Sequence, residues 1–377
     1  MHFAIDATTW NNPRGYGRFT RSLLSALLER EQIHRYTLFT DSPEALPPLP
    51  SRATATTATR SGRTLAGVAS MSRALSAHGF DAILFPTVYS YVPVLSSTPK
   101  VVVFHDVIAE RFPSMTVPST SARVLWNAKV RLARAQASTL VTVSEYSRRE
   151  LAREFHLDAA TIEIVGEAPA PVFHRIGNPV PSPRLAALNL PAGPWIVYAG
   201  GFGPHKNVPM LVDAFAVLAA RYPSATLVLV GENRNEIFHS DIAAVERRVQ
   251  AHSLGARAIF TGFLPDPDLA LLFNLAYVLV LPSFMEGFGL PAVEAAACGC
   301  PVIATRESPL PELLSGGGIF VDPHSPAALE AALDAVLASE SSRANYVRQA
   351  LAAAGRLTWE QSAMRMLEIL EAAGRSR

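Results

Sequence analysis

VLVLPSFMEGFGLPAVEAAACGCPVIAT, residues 278–305, holds a strand, a turn, a helix and a second strand in one short span. The run 278–281 is continuously apolar and β-prone, and Pro282 and Ser283 end it. Gly287 and Gly289 permit a turn and close approaches that a β-carbon would block. Pro291 suits the first turn of a helix and Gly299 its end, so a helix is expected over 291–298. The apolar run 301–305 then starts the next strand. Short apolar strands joined by helices belong to parallel sheets covered on both faces. In such sheets the helix N-terminus faces the mouth of the strands, where ligands bind. Its free N–H groups and dipole favour a phosphate there.

The same alternation runs through the chain. Strands are expected at 2–7, 36–40, 82–86, 100–106 and 139–144, and after a break at 195–200, 226–231, 258–262, 278–283 and 301–305. The pattern occurs twice, so the fold class is α/β with two doubly wound domains. Residues 176–194, IGNPVPSPRLAALNLPAGP, are rich in proline and glycine and mark the join. The expected domains are therefore 1–178 and 192–360, followed by a last helix beginning at a Thr358 N-cap. The segment SRATATTATRSGR, 51–63, is of low complexity and is expected to form a mobile loop.

A chain of 377 residues with 49% hydrophobic and 17% charged residues has enough apolar side chains for large cores, which excludes a disordered chain. No apolar run reaches the roughly 18 residues of a membrane span. MHFAIDATTW reads as a first strand rather than a leader. Cys298 and Cys300 sit in an apolar context without His or Cys partners, which suits packing residues in a reduced, cytoplasmic setting. Residues 1–175 carry 19 Lys and Arg against 14 Asp and Glu, although the whole chain is only +1. From Arg111 to Ser144 there is no acidic residue, while Arg111, Arg123, Lys129, Arg131 and Arg134 alternate with apolar ones. This is a basic amphipathic helix: either a solvated face, or peripheral contact with an anionic membrane surface or a pyrophosphate-bearing acceptor. The nearly balanced net charge argues against nucleic acid.

Glu286 lies just before the glycine turn and Glu294 one turn into the helix. Two carboxylates beside a phosphate repel it unless they hold neutral hydroxyls, and a nucleotide sugar carries hydroxyls on both sides of its diphosphate. The pattern Glu-x7-Glu around GFGLP resembles the retaining glycosyltransferases of family 4, which have the two-domain GT-B fold. GGFGPHKNVPMLVDAF (200–215), TGFLPDPDLALLF (261–273), VSEYSRRELAREF (143–155), GGGIFVDP (316–323), TWEQSA (358–363) and NPRGYGRFTRSLL (12–24) are similar to further segments of that family, in the same order.

The resemblance implies two Rossmann-like domains facing a central cleft, with the nucleotide sugar on the C-terminal domain and the acceptor on the N-terminal one. It implies that helix 361–377 packs back on the N-terminal domain. It implies a hexosyltransferase of polysaccharide or lipopolysaccharide synthesis, acting on a glycan or lipid-linked acceptor. The donor would be GDP- or UDP-linked, with GYGRF and FHD leaning toward mannosyl-type members. Glu286 would hold hexose hydroxyls, Glu294 the ribose, and the amides of Phe288, Gly289 and Leu290, next to Gly287, the phosphate and sugar. Lys206 would neutralise the diphosphate. His105 would approach the donor sugar, and Gly15 and Gly17 would let the first loop approach the diphosphate or acceptor. No cofactor and no metal are expected: Asp266-Pro267-Asp268 sits at a helix start, where Asp caps. One departure stands out. Gly201 and His205 occupy positions where relatives often carry Arg, which shifts phosphate binding toward Lys206, with help from His205, Arg14 or Arg18. A nucleotide-sugar epimerase and a catalytically idle scaffold are the alternatives to transfer. A strand-end His105 bonded only to backbone is the alternative to a catalytic one.

Overall fold

The computed structural model of the protein describes residues 1–30, 33–57, 64–77, 79–231 and 241–376. It divides into two compact units. The first takes Met1–Val107, Ser119–Glu167 and Thr358–Arg377; the second takes Ile108–Pro118 and Ala168–Leu357.

The first unit holds strands β1 (His2–Asp6), β2 (Arg35–Thr40), β3 (Ala53–Thr57), β4 (Ala82–Phe85), β5 (Lys100–Val103), β6 (Thr139–Thr142) and β7 (Ile162–Ile164). They form one sheet in the order β3-β2-β1-β4-β5-β6-β7, every neighbour parallel. The second unit holds β8 (Trp195–Ala199), β9 (Thr226–Val230), β10 (Ala258–Gly262), β11 (Val278–Leu281), β12 (Val302–Thr305) and β13 (Gly318–Val321). Their order is β10-β9-β8-β11-β12-β13, again all parallel. In the centre of this sheet Leu279 faces Val302 on one side and Val197 on the other. β4, β5, β9, β11 and β12 are buried at every position, as their unbroken apolar runs require.

Ten strands stand where the apolar runs placed them. The other three, β3, β7 and β13, are all sheet edges. β3 shows why: ATATT is exposed at four of its five positions, so no apolar run announces it. It overturns the expected loop over 53–57, while 58–63 lie outside the described residues.

The units also change place along the chain earlier than the proline-rich segment. Residues 168–178 pack with the second unit: the Phe173 and Phe273 rings lie 6.0 Å apart, and Ile176 N donates to Asn274 Oδ1 at 2.8 Å. Arg175 Nη1 donates to the Cys298 carbonyl at 3.3 Å. Proline marks irregular backbone rather than the point where packing partners change, and 176–194 itself contains the helix Pro183–Ala187. Residues 108–118 likewise belong to the second unit, with the Phe112 ring 6.1 Å from Phe284. The last helix, Trp359–Arg375, belongs to the first unit and packs on the helix Gly15–Arg30. Thr358 caps it, its side chain accepting from Gln361 N at 3.3 Å.

Gly17 and Gly15 differ in what surrounds them. A β-carbon on Gly17 would stand 2.1 Å from the Asn12 carbonyl oxygen, whereas one on Gly15 would meet nothing within 4 Å. Gly17→Ala should therefore cost about 1–3 kcal/mol, and Gly15→Ala should be neutral or stabilise by about 0.5–1 kcal/mol. Urea denaturation of the two variants checks this; equal effects would contradict the packing.

Candidate functional site

Each sheet reverses its strand order once, between β1 and β4 and between β8 and β11. The loops leaving those strands part there and open a crevice at their carboxyl ends. In the second unit the two loops are 200–207, after β8, and 282–289, after β11.

The loop after β8 tightens into a short 3₁₀ turn, Pro204–Lys206, that ends on Lys206. Its Nζ donates to Glu286 Oε1 at 2.7 Å, and the same oxygen accepts from Ser283 Oγ at 2.6 Å. Their side chains are 23% and 10% exposed, so the pair is shielded from water yet open at its lysine end. Burial works against the Glu286 charge, but the Lys206 ammonium and the hydrogen bonds from Lys206 and Ser283 hold its carboxyl below the usual range. Backbone bonds fix the frame: Phe284 N donates to the His205 carbonyl at 2.9 Å, and Glu286 N to the Glu307 carbonyl at 3.0 Å.

His205 borders the same pair. Burial and the adjacent Lys206 charge push its imidazole down to about 3, with Glu286 opposing, so it is neutral at pH 7. Its Nδ1 is buried without a hydrogen-bond partner among the described residues. Gly201 is tied down through its carbonyl, which accepts from the Tyr198 hydroxyl.

The helix Leu290–Ala297 begins directly after the glycine turn, one residue earlier than expected. Gly289 stands at φ 81°, and a β-carbon there would meet Leu310 Cδ1 at 2.8 Å, so the position needs glycine on both counts. Gly287, Phe288 and Leu290 are buried around it. Glu294 is completely buried, not a surface carboxylate. Its charge adds to burial in pushing the Cys298 thiol up to about 12. Cys300 is buried and pushed equally high, so both cysteines pack rather than react. Asp266 opens a helix, and Asp268 accepts from Ser182 Oγ at 2.5 Å while pairing with Arg184.

The sequence left one residue of this site without a role. Asn207 adopts φ 54°, and its side-chain amide donates to the Pro282 carbonyl at 3.2 Å and the Pro323 carbonyl at 2.9 Å. It clamps the end of the lysine loop to the ends of β11 and β13. Its signal was an Asn directly after the lysine, a residue type that tolerates the left-handed region.

The remaining candidates lie in the first unit. His105 follows β5 by two residues; its Nε2 lies 3.0 Å from the Pro86 carbonyl and its Nδ1 3.2 Å from Glu167 Oε1, so both ring nitrogens are engaged. The Arg14 backbone N–H donates to Asn12 Oδ1, and Arg18 is half-buried on the helix that starts at Gly15. Arg21, which no sequence motif singles out, closes this loop by donating to the Trp10 and Asn12 carbonyls at 2.6 and 2.9 Å. Lys129 does not join Arg123 and Arg131 on an outward basic face. Its Nζ turns inward and donates to the Tyr89 carbonyl at 2.6 Å; burial pulls its pKa down, against the pull of Asp6.

Residues 13–167 match the family described as Glycosyltransferase Family 4, and residues 187–352 the family described as Glycosyl transferases group 1. The two matches together span most of the chain, which belongs to this family of glycosyltransferases. An Escherichia coli protein described as O-antigen chain mannosyltransferase B is 32% identical over 230 residues, 59% of this chain and 58% of its own length. The chain thus spans little more than half of that relative. Sucrose-phosphate synthase from Thermosynechococcus elongatus shares the fold with a TM-score of 0.79 at 20% identity over 100% of both chains. Anabaena HepE, solved with UDP and glucose, follows with a TM-score of 0.76 at 18% identity, over 99% of this chain and 100% of its own. These likenesses establish the GT-B fold.

His205 yields a pH prediction. Because its folded pKa lies below the ordinary 6.5, the unfolded chain takes up a proton first as pH falls. Stability should drop between pH 6.5 and about 3, and His205→Gln should flatten that part of the profile. Chemical denaturation across this range tests it; an unchanged slope in the variant would contradict a buried neutral imidazole.

Proposed function

We propose that the protein is a retaining hexosyltransferase that takes its sugar from a nucleoside diphosphate sugar and delivers it to a glycan or lipid-linked acceptor of polysaccharide or lipopolysaccharide synthesis. The observation that carries this is the Lys206–Glu286 pair, set at the switch point of the second sheet immediately before the N-terminus of the helix Leu290–Ala297. An ammonium and a row of helix amides suit a diphosphate, and an ionised carboxylate beside them suits sugar hydroxyls.

In this proposal the Lys206 ammonium and the amides of Phe288, Gly289 and Leu290 take the diphosphate charge, with no metal ion. Lys206 spends one of its three N–H donors on Glu286 and keeps two for phosphate. Glu286 orients the hexose, and Glu294 accepts from the ribose hydroxyls. The bond between the anomeric carbon and the diphosphate oxygen breaks as charge gathers on the leaving group, where a fixed cation is most effective. The acceptor oxygen attacks from the same face and its proton passes to the departing phosphate. The E. coli relative's description supports mannose as the first hexose to try, and the resemblance to mannosyl-type members makes GDP its first carrier. UDP-glucose is the second, since a protein of the same fold holds UDP and glucose.

Isotope transfer from a donor labelled in its hexose to an added acceptor is the test, and release of label without an acceptor product would favour a non-transferring enzyme. Glu294→Ala should weaken nucleoside diphosphate binding by roughly ten- to hundredfold, the loss of a charge-assisted hydrogen bond. His105→Ala should lower turnover with little change in nucleotide affinity. Full turnover in that variant would leave His105 a structural residue, bonded to Pro86 and Glu167.

A further inference from the structure

The last residue of β1 is an acid without exposed surface, Asp6, and β1 is one of the two strands at which the first sheet reverses its order. One of its oxygens is held: Oδ1 accepts from Thr8 N at 3.0 Å and from Thr8 Oγ at 2.6 Å. The other, Oδ2, is buried with no hydrogen-bond partner among the described residues. Burial pushes the carboxyl up, against the pull of Ser90, Thr8 and Lys129. A buried carboxylate oxygen left without a donor is costly to a fold, and such exceptions mark places where a ligand or water completes the bonding.

Lys129 is the complement of Asp6. It turns inward from the helix Thr120–Gln136 and spends one donor on the Tyr89 carbonyl at 2.6 Å, out of the three an ammonium has. Burial pulls its pKa down and Asp6 pulls it back, so the two charges feel each other, yet they form no ion pair among the described residues. An acid lacking a donor and an ammonium with donors to spare, attracting but not touching, are bridged by a group that donates to one and accepts from the other. A hydroxyl does both. An ionised phosphate only accepts, and Asp6 repels it.

A ladder of three rings lies beside Lys129. Tyr89 stacks on Tyr16 with ring centres 4.9 Å apart and on Trp126 at 5.0 Å, each pair 29° from parallel. Tyr16 is on the helix that follows β1 and Tyr89 on the loop that follows β4, so the ladder spans the switch point of this sheet. All three residues are half-buried, and Asn12 Nδ2 donates to the Tyr16 hydroxyl at 2.9 Å. Aromatic walls around a few polar groups are the make-up of a small-molecule site.

We propose that this place receives an uncharged sugar of the acceptor, its C–H face against the Tyr16–Tyr89–Trp126 ladder and one of its hydroxyls bridging Lys129 Nζ and Asp6 Oδ2. A pyranose carries a face of C–H bonds and a rim of hydroxyls, which matches both halves of the site. Asp6 is closed to solvent, so the hydroxyl enters past the half-buried Lys129 side chain, which gives way. The inference rests on the proposed transfer activity, and it makes the group recognised by the first unit a neutral sugar rather than a phosphate.

Saturation-transfer NMR of the full chain, without any donor, tests it with the methyl α-glycosides of mannose, glucose and galactose and with a phosphorylated mannose. At least one glycoside should bind, and the phosphorylated sugar should bind no better. Lys129→Met should weaken that binding at least about tenfold and Asp6→Asn roughly fivefold, from the loss of charge-assisted hydrogen bonds. Tyr89→Leu keeps the carbonyl that holds Lys129 and should weaken binding roughly threefold, from the lost ring contact. Circular dichroism melts show that each variant is folded, and its nucleoside diphosphate affinity should stay that of the wild type. No glycoside binding by the folded wild type would overturn the proposal, as would tighter binding of the phosphorylated sugar. So would variants that melt earlier yet bind sugar like the wild type, because Asp6 and Lys129 would then enclose a structural water. Variant-sensitive sugar binding in a protein that transfers no label from any donor would refute the transfer activity alone and leave this site standing. Label transfer with sugar binding indifferent to all three variants would do the reverse.

Discussion

The contact between Lys206 and Glu286 is the constraint around which the second unit is arranged. The two residues lie on loops that leave β8 and β11, the strands at which the sheet reverses its order. Each charge makes the other tolerable in a shielded place: without the ammonium, burial alone would drive the Glu286 carboxyl toward its neutral form. The loop geometry serves the pair. Ser283 supplies a second donor to Glu286, the Glu307 carbonyl holds its backbone, and Asn207 fastens the lysine loop to the ends of two strands. Gly289, pressed against Leu310, then starts the helix close to the carboxylate. A cation, an ionised carboxylate and a helix N-terminus are held together by packing that is complete in the protein by itself. Such preorganisation is what charge development in a transition state requires.

The central strands were legible because they are buried on both faces, and VLVL and TLVLV can hardly be read otherwise. The edges were not, because a strand such as ATATT needs no apolar residues where one side and one face meet solvent. The site residues were legible one motif at a time. Glu286, Glu294 and Lys206 could each be named from local patterns, but the direct contact between Lys206 and Glu286 joins residues eighty positions apart. Asn207 gave still less away, since its role depends on a left-handed backbone and on a carbonyl 116 positions along the chain. The basic segment misled in an instructive way. The basic segment 111–144 read as one amphipathic helix, but the helix covers only Thr120–Gln136 within it, and periodicity could not say which face turns inward. The structure turns Lys129 in and Val124 and Leu125 out, opposite to the usual rule.

The first unit presents its candidates differently. His105 is wedged among its own neighbours, edge-on to Phe19 with ring centres 4.7 Å apart and bonded on both nitrogens. Gly17 makes its close approach to the Asn12 carbonyl of its own loop. These residues shape the carboxyl-end loops of the first sheet, whereas the chemistry that suits a diphosphate is concentrated in the second. Residues 13–167 and 187–352 match two different family models.

The most direct test of the account is calorimetric titration of UDP, GDP, ADP and dTDP, with the matching nucleosides, into the wild type and Lys206→Ala, with and without EDTA. One diphosphate should bind saturably and indifferently to EDTA, its affinity should collapse in the variant, and the weaker binding of its nucleoside should not change. A diphosphate that binds Lys206→Ala as well as the wild type, or no binding of any nucleotide, would remove the Lys206–Glu286 pair from the centre of the function.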